Sequence, residues 1–160
     1  MIEIVGVDKL DGVLEVLKSL PPEIVSKRGG PVKLALKRGA FILRDEARRT
    51  MALAIARNGS DSTGTTVASI VGTRGKVASG EKYVVRVKRK TFVNAKGRKV
   101  STLLTANLLE YGSKGQEATP WLRPAAENKR AEIIEAVPAD LVRRLNLIVR
   151  RLARQNRVPL

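Results

Sequence analysis

The sequence predicts an α+β fold: a small antiparallel sheet with one long helix from the N-terminal half packed on it. Three observations carry that expectation. Leu36, Ala40, Leu43, Ala47, Met51 and Ala54 recur every three or four residues, tracing one apolar face of a helix from about Val32 to Arg57. From Thr65 the apolar spacing drops to two, the period of a strand. Behind the Pro120-Trp121-Leu122-Arg123-Pro124 run it becomes helical again, giving a second helix and then a basic helical arm.

At the N-terminus, Val7, Leu10, Leu14 and Leu17 mark a short amphipathic helix, which Pro21-Pro22 and Gly29-Gly30-Pro31 separate from the long one. Lys33, Lys37, Arg44 and Arg48 form a basic stripe on the long helix and read as its solvated side. Asn58-Gly59-Ser60 closes that helix in a C-cap turn. Thr66–Val71 and Lys82–Lys88 read as strands, the second covered on both faces because Val84 breaks the alternation of Tyr83, Val85 and Val87. Asn94–Lys99 is a turn and Val100–Leu104 a return strand, which makes a long basic hairpin of residues 74–104. Such a hairpin serves either as an arm threaded into a neighbour or as a charged loop that resists edge-to-edge association. Gly112–Pro120 is an ordered loop, and Pro124 stands where a first helical turn tolerates it. The helix Ala125–Val137 ends at Pro138, and Leu141, Leu145, Ile148 and Leu152 stripe a separate arginine-rich helix. The organisation is a domain over residues 1–137 and an arm over 138–160.

Composition removes many function classes. The chain of 160 residues, 43% hydrophobic, supports one modest core. It has no cysteine and no histidine, which removes imidazole and thiol triads, disulfides and the common zinc and non-haem iron sites. Asp45 and Glu46 are adjacent on a helix and point apart, and Asp61 lies in a Ser/Gly turn, so neither supplies an acid–base pair. No enzyme activity, cofactor or metal is expected. No apolar run spans a membrane, the N-terminus lacks the pattern of a secretory signal, and the absence of cysteine suits a reducing cytoplasm.

Charge is the strongest remaining feature, at +16 overall. Arg74, Lys76, Lys82, Arg86, Lys88, Arg89, Lys90, Lys96, Arg98 and Lys99 face a single acid, Glu81, over residues 74–99. Arg143, Arg144, Arg150, Arg151, Arg154 and Arg157 face Asp140 alone over residues 140–160. Both blocks attract polyanions, whether nucleic acid or an acidic protein surface.

The segment Leu109–Ala125 carries the most specific pattern. Glu110-Tyr111-Gly112-Ser113, followed by Pro120-Trp121-Leu122-Arg123-Pro124-Ala125, resembles the tail-completion, or head–tail joining, proteins of long-tailed bacteriophages. Glu46-Ala47-Arg48 resembles the end of that family's long-helix motif, and Ser62–Ile70 its Thr-Gly entry to the first strand. Thr105-Ala106 stands where the family has Tyr-Ala, and the tail beyond Pro138 exceeds the family's length. The resemblance implies a virion protein of the tail or neck, assembled in the host cytoplasm. It would form a ring, hexameric by the symmetry of tail tubes, between the head-closure ring and the tail tube protein, with non-specific DNA contact in the lumen a further possibility. A tail terminator of the same family fits equally. The expected interface residues are Glu110, Tyr111, Gly112, Trp121 and Arg123 of the motif, Arg86, Lys88, Arg89, Lys90, Lys96, Arg98 and Lys99 of the hairpin, and Arg143, Arg144, Arg150 and Arg151 of the arm. Trp121 reads either as a core anchor or as a partner contact, and Glu110 pairs either with Arg123 or across subunits.

The rival class is a basic nucleic-acid-binding module. The charge fits it, but aromatics are 3% of the chain and no helix-turn-helix, RRM or KH pattern is present.

Overall fold

The computed structural model describes residues 30–59, 64–78, 80–94 and 96–155. The expected helix over Val7–Leu17, the Asp61 turn and the final residues 156–160 lie outside them.

Helix α1 (Pro31–Arg57) begins with proline in its first turn, where the missing N–H costs no hydrogen bond. It ends at Asn58, whose amide donates to the Ala54 carbonyl, and at Gly59, whose amide donates to the Ala56 carbonyl and which takes a left-handed φ of 63°. The one-turn helix α2 (Thr65–Ala68) leads into an antiparallel hairpin of β1 (Ile70–Arg74) and β2 (Tyr83–Val87). A second hairpin, β3 (Thr91–Val93) with β4 (Lys99–Ser101), runs directly into α3 (Thr102–Tyr111). After an ordered loop, α4 (Leu122–Gln155) packs antiparallel along α1, with Thr50 opposite Trp121 and Arg38 opposite Asp140. The α+β class holds, with two two-stranded sheets in place of one.

The main core joins α1, β1, α3 and the start of α4. It holds Ala47, Met51, Ala54, Ile55, Ile70, Ala106, Leu109, Trp121 and Ala125, with Val85 and Val87 of β2 packed against it. The other end of the α1–α4 pair has a much smaller cluster of Ala35, Leu141 and Leu145. The sequence face of α1 is right in its C-terminal half and rotated in its N-terminal half. There Ala35 and Gly39 are buried while Leu36 and Leu43 are half-exposed. Small residues win because the helices approach closely: a Cβ on Gly39 would sit 2.6 Å from Val137 Cγ2.

Four expectations are corrected. Thr66–Val71 is not all strand, because Ala68 and Ser69 amides donate to Gly64 and Thr65 carbonyls and the Ser69 hydroxyl adds a third bond to Thr65. That hydrogen bonding closes a helical turn, and the strand starts only at Ile70. Residues 74–104 are not one hairpin. β2 pairs back onto β1, and the β3–β4 hairpin is separate. Leu103 and Leu104 belong to α3 rather than to a return strand, since Leu103-Leu104-Thr105-Ala106 runs on into a helical face that buries Ala106 and Leu109. Finally, Pro138 does not end a helix: α4 is continuous across it, so the arm is an extension of the domain's own helix. Proline inside a helix costs roughly 3 kcal/mol. Here Ile133 and Val137 press on Gly39 just before it, and Asp140 binds three arginines just after it, so both flanks are held in register.

Candidate interaction surfaces

The motif segment Leu109–Ala125 folds as one unit. Glu110, on the last turn of α3, receives the N–H groups of Trp121 (2.8 Å) and Leu122 (2.9 Å) on one oxygen and that of Arg123 (3.3 Å) on the other. These are the unpaired donors at the start of α4, so a carboxylate from another helix caps it and meets the positive end of its dipole. Gly112 holds φ 73°, and a Cβ there would lie 2.8 Å from the Gln116 carbonyl oxygen. Only glycine fits that turn. Ser113 and Gln116 bridge the loop, and Thr119 N–H returns to the Leu109 carbonyl. Trp121 is 4% exposed, donates its indole N–H to Ala106 O at 3.0 Å, and offers its own carbonyl to the Thr50 hydroxyl at 2.7 Å.

The anchor reading of Trp121 is therefore the one the packing supports, and Trp121 offers nothing to a partner. Glu110 does not pair with Arg123; it binds that residue's backbone, and the Arg123 side chain is exposed. Gly112 shapes the loop. Tyr111, at 72% exposure, and the Arg123 side chain are the predicted motif contacts left for an outside partner. Tyr111 shares the outer side of α3 with Leu104, one heptad earlier and 55% exposed, and with Leu103. Ile134, Val142, Leu147 and Val149 are also exposed on α4, but on the ten-residue α3 the three exposed apolar groups share one side, as a contact surface would.

The hairpin cations divide into two groups. Arg86, Lys88, Arg89 and Lys90 lie on β2 and the connector after it, and Lys96, Arg98 and Lys99 at the β3–β4 tip, all exposed. The strands are three residues long, so the groups stand about 10 Å apart. Asn94 builds the tip: its side-chain oxygen accepts the Lys96 and Arg98 amides, and Gly97 supplies a φ of 73°. Thr102 clasps the base, its hydroxyl donating to Lys88 O and accepting from Lys90 N–H while its own amide donates to Lys90 O.

The arm arginines play different parts. Arg143 (2.9 Å) and Arg144 (2.6 Å) bind Asp140, joined from α1 by Arg38 (3.0 Å). The Asp140 side chain is fully buried, although Arg38 and Arg143 are more than half exposed. Burial pushes the Asp140 carboxyl up, but the three guanidinium hydrogen bonds outweigh it and hold the group below the usual aspartate value. Arg150 and Arg151 are exposed on α4, about where it runs past the start of α1. In the basic stripe of α1, Arg44 lies on the Phe41 ring and Arg48 donates to Ile70 O at 2.8 and 3.1 Å, so neither is merely solvated.

Sequence reasoning missed two features. The capping role of Glu110 is invisible because its partners lie eleven to thirteen residues away, outside any local capping pattern. The Asp140 cluster was half legible: Arg143 and Arg144 follow at helical spacings of three and four, whereas Arg38 is remote.

Among the described residues no group of three or more carboxylates is placed to hold a metal, and no helix is long and apolar enough to cross a membrane. Comparison with known proteins finds no matching family model, no matching curated protein and no matching solved structure.

Proposed function

We propose that this chain is a non-catalytic assembly subunit of a phage virion, one copy in a ring that completes the tail and joins it to the head. The observation that carries this reading is the apolar outer side of α3. Leu103, Leu104 and Tyr111 stand exposed beside a motif loop in which Glu110 and Trp121 are taken up in holding the fold. A subunit packed against that side removes it from water, and closed cyclic contacts then limit growth of the assembly. The exposed hairpin and arm cations favour acidic surfaces on the neighbouring ring or tail tube, where guanidinium groups pair two-pronged with carboxylates. Tail completion and tail termination remain two forms of the same proposal.

Light scattering on the purified protein, at low and high salt and with and without duplex DNA, tests it. The expected result is a discrete ring, or a monomer that assembles on added tail tubes and ignores DNA at physiological salt. A monomer whose tight DNA binding falls by decades as salt rises sinks the reading in favour of a nucleic-acid module.

A further inference from the structure

We propose that the cleft between α1 and α4 at the Asp140 end is a binding site for a small phosphate monoester. The cleft, about 420 Å³, has an apolar floor of Leu34, Phe41 and Ile42 and a cationic rim of Lys37, Arg38 and Arg143. A volume of that order suits a small molecule. Asp45 also lines it, but Arg44 binds that carboxylate through two nitrogens and offsets its charge. Lys37, Arg38, Arg143 and Arg144 then stand against Asp140, four cations to one carboxylate, a net +3 from the described lining.

Asp140 arranges that excess. Arg38 Nη1 and Arg143 Nη2 donate to the same Asp140 oxygen, at 3.0 and 2.9 Å, so two guanidinium groups meet across the seam between the helices. Arg144 holds the other oxygen at 2.6 Å. Arg38 and Arg143 use one N–H each, and among the described residues their side chains bond to nothing else. Most donors of both groups are therefore open to a second acceptor. The two side chains are more than half exposed while Asp140 is fully buried, so the arginines are fixed within reach of solvent. Such preorganisation lowers the entropy cost of binding an anion. Charge selects which anion. A carboxylate or a phosphodiester brings one negative charge, whereas a phosphate monoester brings nearly two on three strong acceptor oxygens. Guanidinium groups pair with phosphate through two parallel bonds, and Lys37 adds a further cation one position before Arg38. The organic part of the ester lies on the floor, where Lys37 and Arg44 hold the Phe41 ring at 5.2 and 4.1 Å.

The test titrates the full-length protein with phenyl phosphate, inorganic phosphate, benzoate and duplex DNA at constant ionic strength, followed by calorimetry and by amide shifts in NMR. Phenyl phosphate is expected to bind one to one, with shifts centred on residues 37–42 and 140–144. Its affinity exceeds by at least about tenfold that of inorganic phosphate, which lacks the apolar part, and that of benzoate, which lacks the second charge. Arg143→Gln weakens it about tenfold, as the loss of a charged hydrogen bond does. Because Arg143 also holds Asp140, the second variant is Lys37→Gln, at an exposed position clear of that carboxylate, which weakens binding severalfold with the melting temperature unchanged. Arg130→Gln, exposed elsewhere on α4, leaves the affinity as it was. Absence of saturable binding overturns the proposal, and so does benzoate bound as tightly as phenyl phosphate. An equal loss in Arg130→Gln overturns it too, because attraction to net charge then accounts for the binding. So does duplex DNA that displaces phenyl phosphate at equal phosphate concentration, because it assigns the cleft to a nucleic-acid backbone. The measurement reads a ligand in solution and is independent of the assembly reading.

Discussion

The two ends of the α1–α4 pair are held together differently. At the Trp121 end, an indole, Met51, Ile70 and Leu109 fill a core that α3 and the first hairpin complete. At the Asp140 end, three small or medium apolar residues are joined by a buried carboxylate and three arginines. The first end gains from apolar area removed from water, a term that involves no titrating group. The second gains from charge pairing whose partners are partly exposed, so its net contribution is modest and depends on conditions. The domain therefore has a rigid end, which carries the motif loop, and an end whose strength the solution sets.

The largest expected effect breaks the rigid end. Trp121→Ala removes the central side chain and the bond to Ala106, and destabilises by roughly 3–5 kcal/mol in urea unfolding. A smaller loss than Asp140→Ala gives would reverse the comparison. Asp140→Ala leaves three arginines facing one another and costs roughly 1–3 kcal/mol, because two of them reach water. Hydrogen exchange then rises over residues 31–40 and 138–148 first, while α3 stays protected. Glu110→Gln keeps the shape of the cap but not its charge and costs about 0.5–2 kcal/mol, with fraying confined to the first turn of α4. Leu104→Asp is expected to change stability by less than about 0.5 kcal/mol, yet to abolish the assembly that the proposed function predicts in light scattering.

Acid acts on the Asp140 end and also nearer the Trp121 end, where Glu46 joins α1 to Asn128 of α4. Buried Glu46, bound by Arg49 and Asn128, has its pKa lowered to about 2, the Arg49 hydrogen bonds being the largest cause. Asp140 is lowered too. Both groups bind protons more readily unfolded than folded. Their stabilisation is therefore complete above about pH 4.5 and is lost as pH falls through the folded values. Thermal unfolding between pH 5 and pH 2 is expected to show a falling midpoint, and Asp140→Asn to flatten part of that fall.

Much of this organisation is legible in the residues. Pro31 and Asn58-Gly59 bound α1, and the Val85–Val87 alternation marks β2, because these signals are local. What escaped was decided at a distance. Gly39 reads as a blemish in a helix until Val137 is found against it, and Pro138 reads as a stop until its flanks are found anchored. The helical turn at Thr65–Ala68 was hidden by β-branched residues that favour strands when considered alone. Of the candidate contact residues, the exposed cations were recoverable from composition. Glu110 and Trp121 were recognisable as special, but their inward roles emerged only with α3 in place.

The clasp at Thr102 has a mechanical consequence. A two-stranded hairpin of three-residue strands has little stability of its own. The β3–β4 tip, with Lys96, Arg98 and Lys99, is tied at its base to one fully buried hydroxyl. That hydroxyl works as an anchor: through it a load on the charged tip passes to α3, the helix that Thr102 begins.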